Sequence, residues 1–371
     1  MNLNDSKTKS MMGKLVQNLL LSLVVLLLSL LLVCVAAEIT LRLYQHHKYG
    51  IGLLNDANHG LISKDSRLGW KMSPNVHYRV RLVDAMQNKY WIDVSTNEYG
   101  FRSFGDIRTK RKRILFVGDS FTAGVGSSDD KTYHAQCGEM LGDVEVFAYG
   151  GVGYGSLQEC MIVDQYLELI RPDVIVWQFF ENDFLDNEHE LDIVKSFYNT
   201  GTPRPYLDPS GNIGYRYATH DQLYWNLPNW ISENVRLLKI LNTQISRIIH
   251  SRSKKGPVPE DIAQSRSTRD AFARSVTITR MIMERLKQRT GELPVYLFCI
   301  TEKQPYFDAI KNICEAVDIH FIPDVPQGLI EQEGRHPRST RAGDGEHLNE
   351  TGELIVAQRI VQALKKDGVL R

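Results

Sequence analysis

Net charge is what this sequence most clearly lacks. Its 371 residues hold 44 basic and 44 acidic side chains. That balance gives no electrostatic reason to expect nucleic acid or any other highly charged partner. Cysteine pairs are missing too. Cys34, Cys137, Cys160, Cys299 and Cys314 never fall in a C-x-x-C spacing, which argues against a zinc site. No disulfide is signalled: Cys34 lies in an apolar run and the other four read as small buried hydrophobes. Internal repeats and long low-complexity tracts are also absent, which excludes a repeat array.

The N-terminus is where the composition becomes one-sided. Leu19 to Ala37 is apolar apart from Ser22 and Ser29, and Lys7, Lys9 and Lys14 precede it. Roughly 20 such residues span a bilayer. Val35-Ala36-Ala37 offers a signal-peptidase reading, but a cleaved apolar core holds only about 7–15 residues. Bulky Val33 before Cys34 disfavours a lipoprotein site. The expectation is an uncleaved anchor over 15–40 with a cytoplasmic tail over 1–14. The protein is then single-pass in the cytoplasmic membrane, with its main domain on the periplasmic or extracellular side. Arg42 and Lys48 partly offset the N-terminal lysines as orientation signals.

Residues 41–110 read as a connector and a small β-rich region. Leu41 to Ser66 is the connector. His77–Val83 and Lys89–Val94 both alternate, as the strands of a hairpin do, and Asn97 to Arg102 forms a turn. The basic run Arg108 to Arg113 lacks aromatic interleaving, so it reads as a solvated lead-in rather than a nucleic-acid contact.

From Ile114 onward, strand and helix alternate. Apolar runs at Ile114–Val117, Val144–Tyr149, Val174–Phe180, Val295–Ile300 and His320–Ile322 predict strands. Leu157, Cys160, Met161, Leu167 and Ile170 share a helical face. So do Phe272, Val276, Met283 and Leu286, and later Leu354, Ala357, Val361 and Leu364. The pattern predicts an α/β domain over 111–371, with a mostly parallel sheet between helical layers. An insert at about 184–269 interrupts it. The insert is rich in proline, with Trp230–Ile249 expected to be helical, and serves as a lid, an acceptor-binding element or a surface decoration.

Chemistry concentrates where the strands end. The first apolar run breaks into Gly118-Asp119-Ser120-Phe121-Thr122-Ala123-Gly124, which lifts Ser120 to the carboxyl edge of the sheet, where α/β proteins place ligands. A hydroxyl on such a turn is a nucleophile if a base reaches it. Among eleven histidines, His347 stands out in Asp344-Gly345-Glu346-His347. An Asp three residues before a His can hold its Nδ1 and leave Nε2 for the serine. The glycines after the second strand, Gly150, Gly151 and Gly153, let backbone N–H groups approach a substrate oxygen. Asn182, after the third strand, offers a side-chain amide to the same edge. Each signal taken singly also fits an ordinary turn.

Together these residues resemble the SGNH hydrolases, also called the GDSL family. Gly118–Gly124 is similar to the family's first block, Gly150 to the glycine of the second, Asn182 to the asparagine of the third, and Asp344 and His347 to the closing D-x-x-H. Gly151 is a competing match in the second block, because Ala148-Tyr149 replaces the usual Asn ahead of the glycine. Glu181 stands where Gly often precedes Asn-Asp. The resemblance covers roughly 113–366, and the hairpin and Asn97–Arg102 resemble the lead-in of membrane-anchored bacterial members. It implies a flavodoxin-like three-layer sandwich, with Ser120 as nucleophile, His347 as base and Asp344 as orienting acid. Ser120, Gly150 and Asn182 would form the oxyanion hole. Neither cofactor nor metal is implied. The expected activity is hydrolysis of acyl esters, O-acetyl above all, on a cell-surface carbohydrate or another small ester. Arg335, Arg338 and Arg341, before Asp344, read as a solvated loop or as contacts for an anionic glycan. Two alternatives are an O-acetyltransferase using the same three residues and a non-catalytic partner in polysaccharide export.

Overall fold

The structure is a computed structural model that describes residues 3–49, 53, 61–195, 203–217, 235–238, 240–241 and 266–370. Its first element, α1 (Leu3–Tyr49), is a single continuous helix. Met12–His47 within it is long and apolar enough to cross a membrane, and its most apolar stretch is not buried against the protein. The helix runs past both ends of the 15–40 segment. Leu41–Tyr49, read as connector from the sequence, stays helical because neither Gly nor Pro interrupts it.

Two antiparallel hairpins follow, β1 (Ile62–Asp65) with β2 (Gly69–Met72), and β3 (His77–Val83) with β4 (Lys89–Ser95). The second was predicted from alternation. The first was not, and its leading strand lies within the residues read as connector. The remaining elements, in chain order, are β5 (Ser103–Phe104), β6 (Lys112–Gly118), α2 (Tyr133–Leu141), β7 (Val144–Gly150), α3 (Ser156–Ile170), β8 (Val174–Phe179), α4 (Glu181–Asn187), α5 (His189–Lys195), β9 (Pro203–Leu207), β10 (Ile213–Tyr217), α6 (Arg266–Thr290), β11 (Val295–Cys299), α7 (Tyr306–Val317), β12 (His320–Ile322), α8 (Asp324–Arg335) and α9 (Glu350–Asp367).

The central sheet has the order β12-β11-β8-β6-β7-β5. Its first five strands pair in parallel and β5 closes the far edge antiparallel to β7. All five predicted parallel strands are present. Taken in chain order, the first of them lies between the second and the third. This flavodoxin-like arrangement places a topological switch point between β6 and β8, where ligands bind in such sheets.

Ile114, Leu115, Phe116 and Val117 of β6 are fully buried, as expected of a strand covered on both faces. Leu115 and Val117 point into one apolar layer with Cys160 of α3, Ile282 and Met283 of α6, and Ile310 of α7. Ile114 and Phe116 point into the other, with Cys137 of α2, Leu329 of α8, and Val356 and Ile360 of α9. Burying each such large apolar side chain stabilises the fold by about 1.5–3 kcal/mol. The result is the expected three-layer sandwich. Cys137, Cys160, Cys299 and Cys314 are free and buried, and Cys34 is free and exposed.

Of the expected helix over Trp230–Ile249, residues 235–238 and 240–241 are described; 236–238 and 240–241 are helical and Val235 is not. The rest of it lies outside the described residues. Within the insert, β9 and β10 form an antiparallel hairpin.

Candidate active site

β6 ends at Gly118, where a Cβ would overlap Thr122 Oγ1 and the Gln178 side chain. The chain can therefore turn close against β8. The turn is then pinned from several sides. The Ala123 N–H donates to the Asp119 carbonyl at 3.0 Å. Asp119 Oδ1 accepts from the Phe121 N–H at 2.9 Å. Gln178 Oε1 accepts from the Asp119 N–H at 3.1 Å and from the Thr122 hydroxyl at 3.0 Å. Ser120 is presented on this framework.

His347 reaches the turn from the other end of the sequence. Its Nε2 lies 2.7 Å from Ser120 Oγ, and its Nδ1 lies 2.5 Å from Asp344 Oδ2. Asp344 Oδ1 also accepts from the Glu346 and His347 backbone N–H groups, both at 3.0 Å. The supporting loop is closed at its base. The Ala342 N–H donates to the His347 carbonyl at 2.7 Å, and Arg341 bonds Glu333 at 2.8 Å and the Glu346 carbonyl at 2.9 Å. Asn349 caps α9, accepting from the Thr351 and Gly352 N–H groups, and so fixes the helix two residues beyond His347. The Phe121 ring lies 5.0 Å from the imidazole.

The electrostatics follow from this contact. Burial alone would disfavour the imidazolium, but the hydrogen bond and charge of Asp344 outweigh it, and the His347 pKa is raised. Burial also acts to raise the Asp344 pKa. The His347 and backbone hydrogen bonds overcome it and hold the carboxyl well below the ordinary range. With Nδ1–H donated to the carboxylate, Nε2 is left to accept the serine proton. That arrangement can convert a neutral hydroxyl into a nucleophile.

Gly150 stands opposite Gly118 in the ladder. A Cβ there would collide with the backbone of Thr122 and Ala123, so glycine is what lets β7 end against the Ser120 turn. Gly151 donates its N–H to the Gly118 carbonyl at 2.9 Å, so that group is already committed. Asn182 lies in the first turn of α4, directly after β8, and its Nδ2 donates to Asp186 Oδ2 at 3.0 Å. The amide has a second hydrogen beyond that bond. Glu181 turns the other way, toward the end of β11, accepting from the Thr301 hydroxyl at 2.6 Å and pairing with Lys303 at 3.3 Å.

Several residues that hold the site escaped the sequence reading. Arg102, whose side chain is 1% exposed, lies 2.8 Å from Asp129 Oδ1. It also donates to the carbonyls of Ala123, Gly124 and Ser127. It thus clamps the chain just beyond Ser120. The only signal was its place at the end of the Asn97–Arg102 turn. The β3–β4 hairpin supports both loops: Tyr90 donates its hydroxyl to the Gly126 carbonyl at 2.9 Å, and the Ala85 N–H donates to the Arg341 carbonyl at 3.1 Å. Buried Arg204 of β9 bonds Asp186 at 2.7 Å, Asp192 at 3.0 Å and the Gly153 carbonyl, which ties the insert to the end of β7. Arg341 is engaged with Glu333, whereas Arg335 and Arg338 are exposed. Among the described residues, no group of three or more His, Cys, Asp or Glu is placed to hold a metal ion.

No protein-family model and no curated protein matches the chain. It is similar to several solved structures. An alpha/beta hydrolase from the metagenome of Lake Arreo, Spain, is 11% identical with a TM-score of 0.38, over 70% of this chain and 96% of that one. A member of the lipolytic G-D-S-L family from Veillonella parvula is 11% identical with a TM-score of 0.37, over 69% and 99%. An acetylxylan esterase from Geobacillus stearothermophilus is 14% identical with a TM-score of 0.36, over 71% and 98%.

Proposed function

We propose that this protein is a serine esterase of the SGNH type. The observation that carries the reading is the continuous line of contacts from Ser120 Oγ through His347 to Asp344. In the first step His347 Nε2 takes the hydroxyl proton as Ser120 Oγ bonds to an ester carbonyl carbon. The negative charge moves to the carbonyl oxygen, where the N–H groups of Ser120 and Gly150 and the Asn182 amide receive it. The imidazolium, steadied by Asp344, then protonates the departing alcohol as the carbon–oxygen bond breaks. In the second step His347 deprotonates a water that attacks the acyl-serine, then returns the proton to Ser120 Oγ as the bond between Oγ and the acyl carbon breaks and the carboxylic acid leaves.

The substrate assigned is an O-acyl ester, O-acetyl above all, on a cell-surface carbohydrate. This goes with single-pass anchoring of α1 in the cytoplasmic membrane, the 1–14 tail inside and the 111–371 domain outside. The apolar, unburied surface of α1 supports the anchoring. If a sugar hydroxyl replaces water in the second step, the same residues perform acetyl transfer.

The test is to trap the acyl-enzyme from native envelope material and weigh the adduct on Ser120. An acetyl adduct that ends as free acetate supports the hydrolase. An acetylated glycan acceptor in its place favours transfer. No fluorophosphonate labelling of Ser120 would point to the non-catalytic role in polysaccharide export.

A further inference from the structure

The β3–β4 hairpin has an inward and an outward face. Ile92 and Val94 are buried, and Tyr78, Val80, Leu82 and Tyr90 are half-buried. On the outward face, Arg79 stands opposite Asp93, Arg81 opposite Trp91, and Val83 opposite Lys89. Trp91 is 44% exposed. The guanidinium carbons of Arg79 and Arg81 lie 5.5 and 5.8 Å from the centroid of its ring. Among the described residues of these two strands, Asp93, 3.8 Å from Arg79, is the acid on this face, alongside Arg79, Arg81 and Lys89. A half-exposed indole between two guanidiniums, on a strand face where Arg79, Val83, Lys89 and Asp93 are also exposed and Arg81 is half-buried, is suited to a boundary between water and something both apolar and negatively charged.

The position of α1 says what that boundary is. The helix packs against β3. Residues 15–36 are exposed all round, whereas 37, 38, 41, 42 and 45 form a half-buried stripe at the spacing of one helical face. At that stripe Glu38 accepts from the Arg236 N–H at 3.1 Å and the Leu237 N–H at 2.8 Å. Arg236, which is buried, donates to Gln45 Oε1 at 2.8 Å. The end of the apolar segment is therefore fixed to the domain, beside the hairpin.

We infer that the outward face of β3–β4 docks on anionic phospholipid headgroups of the membrane that α1 enters. The inference rests on the membrane anchoring proposed above. Tryptophan is enriched at the headgroup level, and basic side chains near an anionic leaflet gain from its surface potential. The same hairpin bonds the loops that follow Ser120 and precede Asp344, so docking sets the direction in which the cleft opens relative to the bilayer.

The test uses the full chain in nanodiscs whose lipids are brominated high on the acyl chain, made of phosphatidylcholine with or without phosphatidylglycerol. Trp91 emission is taken as the difference between wild type and Trp91→Phe. The expected result is quenching of that component, stronger with phosphatidylglycerol. Each charge removed in Arg79→Gln and Arg81→Gln should weaken the docked state about fivefold. A Trp91 component unquenched in both lipids overturns the inference. So does one that responds to soluble alginate but not to lipid, which would assign the face to an acidic glycan. Flotation with liposomes reads the anchor separately. A chain that floats with Trp91 unquenched defeats the docking alone, and a chain that fails to float defeats the anchoring and the docking with it.

Discussion

Ser120 Oγ and His347 Nε2 stand 2.7 Å apart across 227 positions of sequence. One lies on the turn after β6 and the other just before α9. No local preference brings them together: the contact exists because the sheet and its two helical layers are assembled. Activity therefore reports on the whole sandwich as well as on the two side chains.

Ser120→Ala should leave the fold intact and lower turnover of a small acetyl ester by at least about 10⁴-fold, since it removes the nucleophile. Steady-state rates and fluorophosphonate labelling, read beside an unchanged thermal transition, check this. Near-wild-type turnover would end the assignment.

The acid limb of kcat/KM should lie above the ordinary imidazole value of 6.5, because the His347 pKa is raised. The base must be neutral, so activity falls as pH drops through that raised value. Asp344→Asn removes the group that raises it. The limb should then move to lower pH while the rate falls about 10⁴-fold. Stability is linked with opposite signs. The His347 contribution is full at low pH and is lost as pH rises through its folded value. The Asp344 contribution is full above the ordinary carboxylate range and is lost as pH falls. A pH–rate profile of both proteins tests the first part, and denaturant midpoints across pH test the second.

Asn182→Ala is expected to cost on the order of 10²–10³ in kcat with little change in KM, as the loss of one oxyanion donor does. If the rate barely moves, the Asn182 amide serves Asp186 alone.

Gly150→Ala should be more damaging than its one carbon suggests. The new Cβ would meet the Thr122–Ala123 backbone, so the Ser120 turn must shift. A fall in the fluorophosphonate labelling rate, with the protein still folded, is the expected readout. Wild-type labelling would show that the turn has room to spare.

Arg102→Met leaves three carbonyls and the Asp129 carboxylate without their buried cation. Breaking a fully buried pair costs about 3–5 kcal/mol; with the Asp129 side chain 31% exposed, the loss here should fall below that range. Urea denaturation measures it, and Arg102→Lys should recover part of the loss.

The parallel strands and the three residue types in contact were legible because each rests on short-range pattern. A wholly apolar run such as Ile114–Val117 announces a doubly covered strand, and Asp344 and His347 lie within one loop. What stayed hidden depends on partners far away in sequence. The two residues of β5 are too few to show a period of two. In β9, Pro203 and Pro205 argue locally against a strand, yet a two-stranded hairpin leaves an edge where proline is tolerated. Between those prolines, Arg204 looks like a surface charge until Asp186, Asp192 and Gly153 are seen around it. Arg102 is the same case: a lone basic residue at a turn gives no hint that four acceptors close on it.

The sheet's two margins are short, with two residues in β5 on one flank and three in β12 on the other. A longer unpaired margin would offer a row of N–H and C=O groups to a neighbouring molecule. Here a stranger's backbone would find too few rungs to add itself to the ladder. Crowding many copies together should therefore not drive them to polymerise through their central sheets.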